Sequence, residues 1–122
     1  MRMTFVLLLP LLLAGCNSWS GGHHLNNAYR SYQNGDCDRV MLELSQAERK
    51  SRARPWLQPE MSMLRGQCLE RQKYFVDAAQ TYRFIIARYP TSEYAYRARA
   101  RIETLRANGR LPGGDGHLLP LP

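Results

Sequence analysis

Between residues 25 and 105 apolar side chains recur every three or four positions, and no stretch shows the strict alternation of a half-buried strand. This periodicity commits the chain to an all-α fold. Turn and breaker residues divide it into five helical segments. The first, residues 25–34, carries Leu25, Ala28, Tyr29 and Tyr32 on one face and stops at Gly35. The second opens near Asp36 or Asp38, either of which can cap exposed backbone amides, and carries Val40, Met41, Leu44 and Ala47. Arg49, Lys50, Arg52 and Arg54 close it, where cations suit the negative end of the helix dipole, and Pro55 prevents continuation. Pro59 fits the first turn of a third helix, whose stripe is Met61, Leu64, Cys68 and Leu69. The fourth, residues 74–88, has the clearest stripe: Phe75, Ala78, Ala79, Tyr82, Ile85, Ile86 and Tyr89. Pro90 stops it, and Thr91 or Ser92 can cap a fifth helix holding Tyr94, Ala95, Ala98, Ile102 and Leu105. Asn108-Gly109 is a helix exit.

With 122 residues there is room for one small domain, residues 25–108, which excludes a large enzyme. Residues 1–15 read as a signal peptide: Arg2 supplies a basic start, the apolar run of residues 5–13 is broken only by Pro10, and small residues follow. The run is too short to span a bilayer as a helix. Leu13-Ala14-Gly15-Cys16 resembles the lipobox of bacterial lipoproteins. The resemblance implies that Cys16 receives a diacylglycerol and an N-acyl chain such as palmitate and becomes the mature N-terminus. An ordinary cut near Gly15 is the other reading. Several acyl chains anchor stably, since each buried methylene contributes about 0.8 kcal/mol. Asn17 and Ser18, in place of Asp, imply by analogy with lipoprotein sorting the outer membrane of a Gram-negative bacterium, with the domain facing the periplasm. Residues 16–24 read as the lipidated cysteine and a flexible tether, in which His23 and His24 are a hydrated pair and not metal ligands. Residues 109–122, rich in Gly, Pro and Leu, read as a disordered tail.

The formal charge is +7, and removal of Arg2 with the signal peptide leaves +6. An exported basic chain meets anionic lipid, peptidoglycan and acidic proteins, not nucleic acid.

Helices of this length joined by tight turns suit a helical solenoid with a repeat of about 34 residues. Gly66, Leu69, Phe75, Ala78, Tyr82 and Pro90 stand at the mutual spacing of the small, bulky and terminating positions of a tetratricopeptide repeat. Gly66 and Ala78 would let paired helices approach, Leu69, Phe75 and Tyr82 would fill the space between repeats, and Pro90 would end the unit. Ala28, Gly35, Val40, Leu44 and Ala47 form a weaker copy. The resemblance covers about two repeats and a capping helix; an unrelated antiparallel bundle is the alternative. The run from Tyr82 through Tyr89-Pro90-Thr91-Ser92 to Ala95 is similar to repeats of periplasmic tetratricopeptide scaffolds that serve β-barrel assembly and wall coordination. What this similarity implies is a non-enzymatic adaptor that binds another envelope protein in assembly or secretion.

Once Cys16 is acylated, Cys37 and Cys68 remain, an even pair in an oxidising compartment. They either form a disulfide or act as two small apolar residues. No catalytic set and no cofactor motif stands out, and Glu70 and Asp77 read as solvated helix surface. In a solenoid the first helix of each pair lines the concave side, which makes Tyr29, Gln33, Met63, Gln67, Arg97 and Arg101 the candidate groove for a peptide with acidic residues or a terminal carboxylate. Two rivals stand beside this. One is a structural envelope factor that binds peptidoglycan or anionic lipid through Arg49, Arg52, Arg54, Arg97, Arg99 and Arg101. The other is a pilotin-like escort of a secretin or pilus component to the outer membrane.

Overall fold

The computed structural model describes residues 19–112, which form helices and turns and contain no strand. Leu13, Ala14, Gly15 and Cys16 of the lipobox, the rest of the signal peptide and residues 113–122 lie outside the described residues.

Five helices of nearly equal length follow one another: α1 (Trp19–Gln33), α2 (Cys37–Lys50), α3 (Gln58–Arg71), α4 (Phe75–Arg88) and α5 (Glu93–Ala107), with a short 3-10 turn at Pro55–Leu57 before α3. Their ends follow from local chemistry. The Asp36 carboxylate accepts the Arg39 amide and caps α2, while the Ser92 hydroxyl accepts the Ala95 amide and caps α5. Pro59 lies in the first turn of α3, where its missing amide hydrogen costs nothing.

Helices α1, α3 and α5 end alike. Gly35 (φ 77°), Lys73 (φ 65°) and Gly109 (φ 65°) adopt the left-handed conformation just past each of them. In each case the following amide reaches back five residues: Asp36 to the Ser31 carbonyl, Tyr74 to Leu69 and Arg110 to Leu105, all at 2.9 Å. These are three copies of one helix-terminating motif, and two of them turn the chain directly into α2 and α4.

The N-terminal boundary differs from expectation. Helix α1 begins at Trp19, so residues 19–24 are helix and not tether. The cause is tertiary: Gly21 is pressed against Ser51, and His24 Nδ1 lies 2.6 Å from Oε2 of the buried Glu43 on α2.

Each helix packs on its neighbours in sequence, and α3 also touches α1 and α5. The core is accordingly two successive clusters. Leu25, Ala28, Val40, Leu44, Ala47, Met61, Leu64 and Cys68 join α1, α2 and α3, whereas Met63, Ala78, Tyr82, Ile85, Ala95, Ala98, Ile102 and Leu105 join α3, α4 and α5. Leu69 and Phe75 are partly buried against the second cluster. Helix α3 belongs to both layers and is buried on most sides. Gly66 permits its contact with α4, because a Cβ there would come within 3.0 Å of the Tyr82 ring. Pro90 is exposed just beyond α4.

Candidate functional site

Two side-chain clusters are each assembled from α1, α3 and α5. The first lies toward the C-terminal ends of these helices. Tyr32, Gln67, Glu70, Arg71 and Arg101 line an open depression of about 360 Å³. The Arg71 guanidinium stacks on the Tyr32 ring, 3.5 Å from its centroid, and donates to the Tyr32 carbonyl oxygen. Arg71 itself is exposed. Arg101 forks onto Glu70, with Nε donating to Oε1 at 2.9 Å and a terminal nitrogen donating to Oε2 at 2.5 Å. The Tyr82 hydroxyl, reaching through from α4, donates to the same Oε1 at 2.8 Å. Burial and this bond to the Glu70 carboxylate push the Tyr82 phenol far above its usual range.

The second cluster consists of Tyr29, Glu60, Tyr94 and Arg97. The Tyr29 hydroxyl donates to Glu60 Oε1 at 2.7 Å. Burial, then the Glu60 bond and charge, raise the Tyr29 phenol, with Tyr94 adding to the rise and Arg97 opposing it. Arg97 is exposed and lies 5.4 Å from the Tyr94 ring centroid.

The six expected groove residues therefore meet different fates. Gln33 is exposed and Gln67 lines the depression. Tyr29 is half-buried and occupied by Glu60, and Arg97 stays open to solvent. Met63 is a correction: it is 2 % exposed and packs with Ala78 and Tyr82, so it offers nothing to a ligand. Arg101 lines the same depression as Gln67, with its guanidinium forked onto Glu70. Glu70 in turn is not solvated surface. Asp77, by contrast, is exposed in the first turn of α4. Sequence reasoning missed Tyr32 and Arg71 as a pair, and the contact separates them by 39 residues. The only local signal was that each lies just before a helix exit, Tyr32 three residues before Gly35 and Arg71 two before Lys73.

Cys37 and Cys68 come together at the first layer, with Cα atoms 5.5 Å apart and their sulfurs joined. They tie the start of α2 to the end of α3. At the other end of that junction Glu48 of α2 receives Arg65 at 2.8 Å and Gln58 at 3.2 Å. Burial pushes Glu48 up, but the Arg65 and Gln58 bonds outweigh it and hold the carboxyl below its usual value.

Among the described residues no group of three or more His, Cys, Asp and Glu side chains is placed to hold a metal ion, and no helix is long and apolar enough to cross a membrane. No protein-family model, curated protein or solved structure matches the chain.

Proposed function

We propose that this chain is a small lipid-anchored adaptor of tetratricopeptide type, a non-enzymatic periplasmic lipoprotein of the outer membrane. Its α1, α3 and α5 face captures a peptide segment of another envelope protein. The observation that carries the reading is that both polar clusters draw on these three helices, and that each leaves one exposed arginine beside an aromatic ring: Arg71 on Tyr32 and Arg97 near Tyr94. Such a row presents flat apolar surface and fixed guanidinium forks to an extended peptide bearing carboxylates.

Three further features support the solenoid arrangement. The terminating motif of α1 recurs after α3 and α5, helices pack on successive neighbours, and α3 alone is shared between layers. The left-handed residues lie 38 and then 36 residues apart, slightly longer than the usual repeat, the first interval containing the insertion around Pro55. Helix α5 then closes the array with an outer face of Tyr96, Arg99, Ala100 and Glu103, polar enough to meet water.

The test is in-cell crosslinking of the tagged, lipidated protein, comparing wild type with the double variant Arg71→Glu, Arg97→Glu. Wild type is expected to yield one dominant envelope protein that the variant no longer captures, at unchanged helical content and with wild-type capture persisting in high salt. Capture unaffected by the double variant would remove the groove.

A further inference from the structure

The basic residues are not spread evenly over the two ends of the array. From Arg49 to Leu57 the chain holds four bases and no acid. Three of them, Arg49, Lys50 and Arg52, are exposed. Four other arginines meet carboxylates: Arg39 with Glu43, Arg65 with Glu48, Arg101 with Glu70 and Arg106 with Glu103. No such pair forms among the described residues for Arg49, Lys50 or Arg52. Immediately after them, in the 3-10 turn, Trp56 is 66 % exposed. An indole left that far in water beside a cluster of cations is an arrangement suited to the boundary between headgroups and acyl chains.

The fold also fixes where this patch lies. Because α1 and α2 pack as a hairpin, the end of α2 meets the beginning of α1. A Cβ on Gly21 would lie 2.5 Å from Ser51 Oγ and 3.5 Å from both an Arg54 guanidinium nitrogen and Lys50 Cβ. Gly21 is five residues beyond Cys16, a chain length that reaches at most about 17 Å. The opposite ends of the helices, about 21 Å away along a 14-residue helix, carry mixed charge: Asp36, Asp38 and Asp77 beside Arg71 and Lys73. An anchor at Cys16 therefore holds the basic, tryptophan-bearing stretch from Arg49 to Leu57 close to the bilayer.

We infer that the end of the array formed by the start of α1, the end of α2 and the 3-10 turn lies on an anionic phospholipid surface, with Arg49, Lys50 and Arg52 over headgroup phosphates and Trp56 inserted at the interface. This rests on the anchoring of Cys16 proposed above. The consequence is orientation: the acyl chains hold the protein on the membrane, and this contact stands the helices up from it with their face open to a partner. Each basic side chain near an anionic surface contributes about fivefold in partition, so the three together dominate the contact.

The test uses the full lipidated protein on phospholipid vesicles. The chain has two tryptophans, so Trp19→Phe leaves Trp56 as the only reporter. Its quenching by brominated phosphatidylcholine is measured with and without phosphatidylglycerol in the bilayer. The expected result is several-fold stronger quenching when phosphatidylglycerol is present, lost in the triple variant Arg49→Gln, Lys50→Gln, Arg52→Gln although that variant still floats with the vesicles. Raising the salt on the unsubstituted cluster should give the same loss with no substitution made in the fold. Quenching that ignores lipid charge, the substitutions or salt overturns the proposal, as does a Trp56 that is never quenched while the protein remains vesicle-bound. The mass of the N-terminal peptide tests the anchor separately. An unacylated protein whose Trp56 is still quenched on phosphatidylglycerol would remove the anchor and keep the lipid-facing end.

Discussion

Replacing Gly66 by Ala should destabilise the domain, although the same change in a solvated helix would stabilise it. Alanine at a helix interior is favoured over glycine by about 1 kcal/mol. At Gly66, however, the new methyl would meet three carbons of the Tyr82 ring at 3.0 Å or less. The ring has no room to retreat. Tyr82 is fully buried among Ala78, Ile85 and Ala98, and its hydroxyl is fixed on Glu70. Overpacking a filled core costs about 1–3 kcal/mol, and displacement of the ring also strains a hydrogen bond to a charged acceptor worth about 1.5–3 kcal/mol. The net expectation is a loss of about 2 kcal/mol after the gain in helix propensity is subtracted. In a domain of this size that lowers the melting temperature by roughly 8–16 °C. The assay is thermal and urea unfolding followed by far-ultraviolet circular dichroism. A second variant, Gly66→Ala with Tyr82→Leu, makes space for the methyl and should be less destabilised than the sum of the two single changes. A neutral or stabilising Gly66→Ala would refute the close approach of α3 to α4.

Reduction of the Cys37–Cys68 bridge, which closes a loop of 31 residues, should lower stability by about 3.5 kcal/mol; unfolding with and without reductant measures it, and unchanged midpoints would exclude a stabilising bridge. Lys73→Gly should stabilise by about 1 kcal/mol, because Lys73 alone of the three helix-terminating residues carries a Cβ at positive φ. Glu43 is held below the ordinary carboxylate value of 4.5, first by the His24 bond and also by Arg39, against the upward push of burial. Its contribution to stability is therefore complete above that value and disappears as pH falls through the lowered folded one. Glu43→Gln should flatten the acid limb of the stability profile there, and an unchanged limb would show that the pair is not coupled to folding. Glu70→Gln, which leaves Arg101 without its carboxylate partner, should destabilise the domain more than Glu103→Gln on the exposed Arg106 pair.

Helix identity was legible in the chain because each amphipathic stripe and breaker acts over one or two turns. The stripe of Phe75, Ala78, Ala79, Tyr82 and Ile85 is the core face of α4, and Pro55 and Pro90 follow the ends of α2 and α4. The two open choices of cap resolved to Asp36 and Ser92, whose side-chain oxygens accept the amides of Arg39 and Ala95. Residues 19–24 misled because they lack an apolar stripe. Their helix is held by Gly21 against Ser51 and by His24 on Glu43, contacts that need α2 in place. Met63 misled for a related reason. A helix assigned one stripe was expected to show its other face to a ligand, but α3 lies between two layers and buries both, Met61, Leu64 and Cys68 in one and Met63 in the other.

The sequence by itself determined five helices and most of their ends, since propensity, capping and hydrophobic period are properties of short segments. Tertiary structure alone decided how charge is used. Side chains 31 or more residues apart chose partners, so that Arg101 was taken by Glu70 and Tyr29 by Glu60, while Arg97, Arg49, Lys50 and Arg52 stayed exposed. The physical reason is that a charge is neutralised or left free by what lies within a few ångströms of it, and that distance is set by packing between helices, not by spacing along the chain.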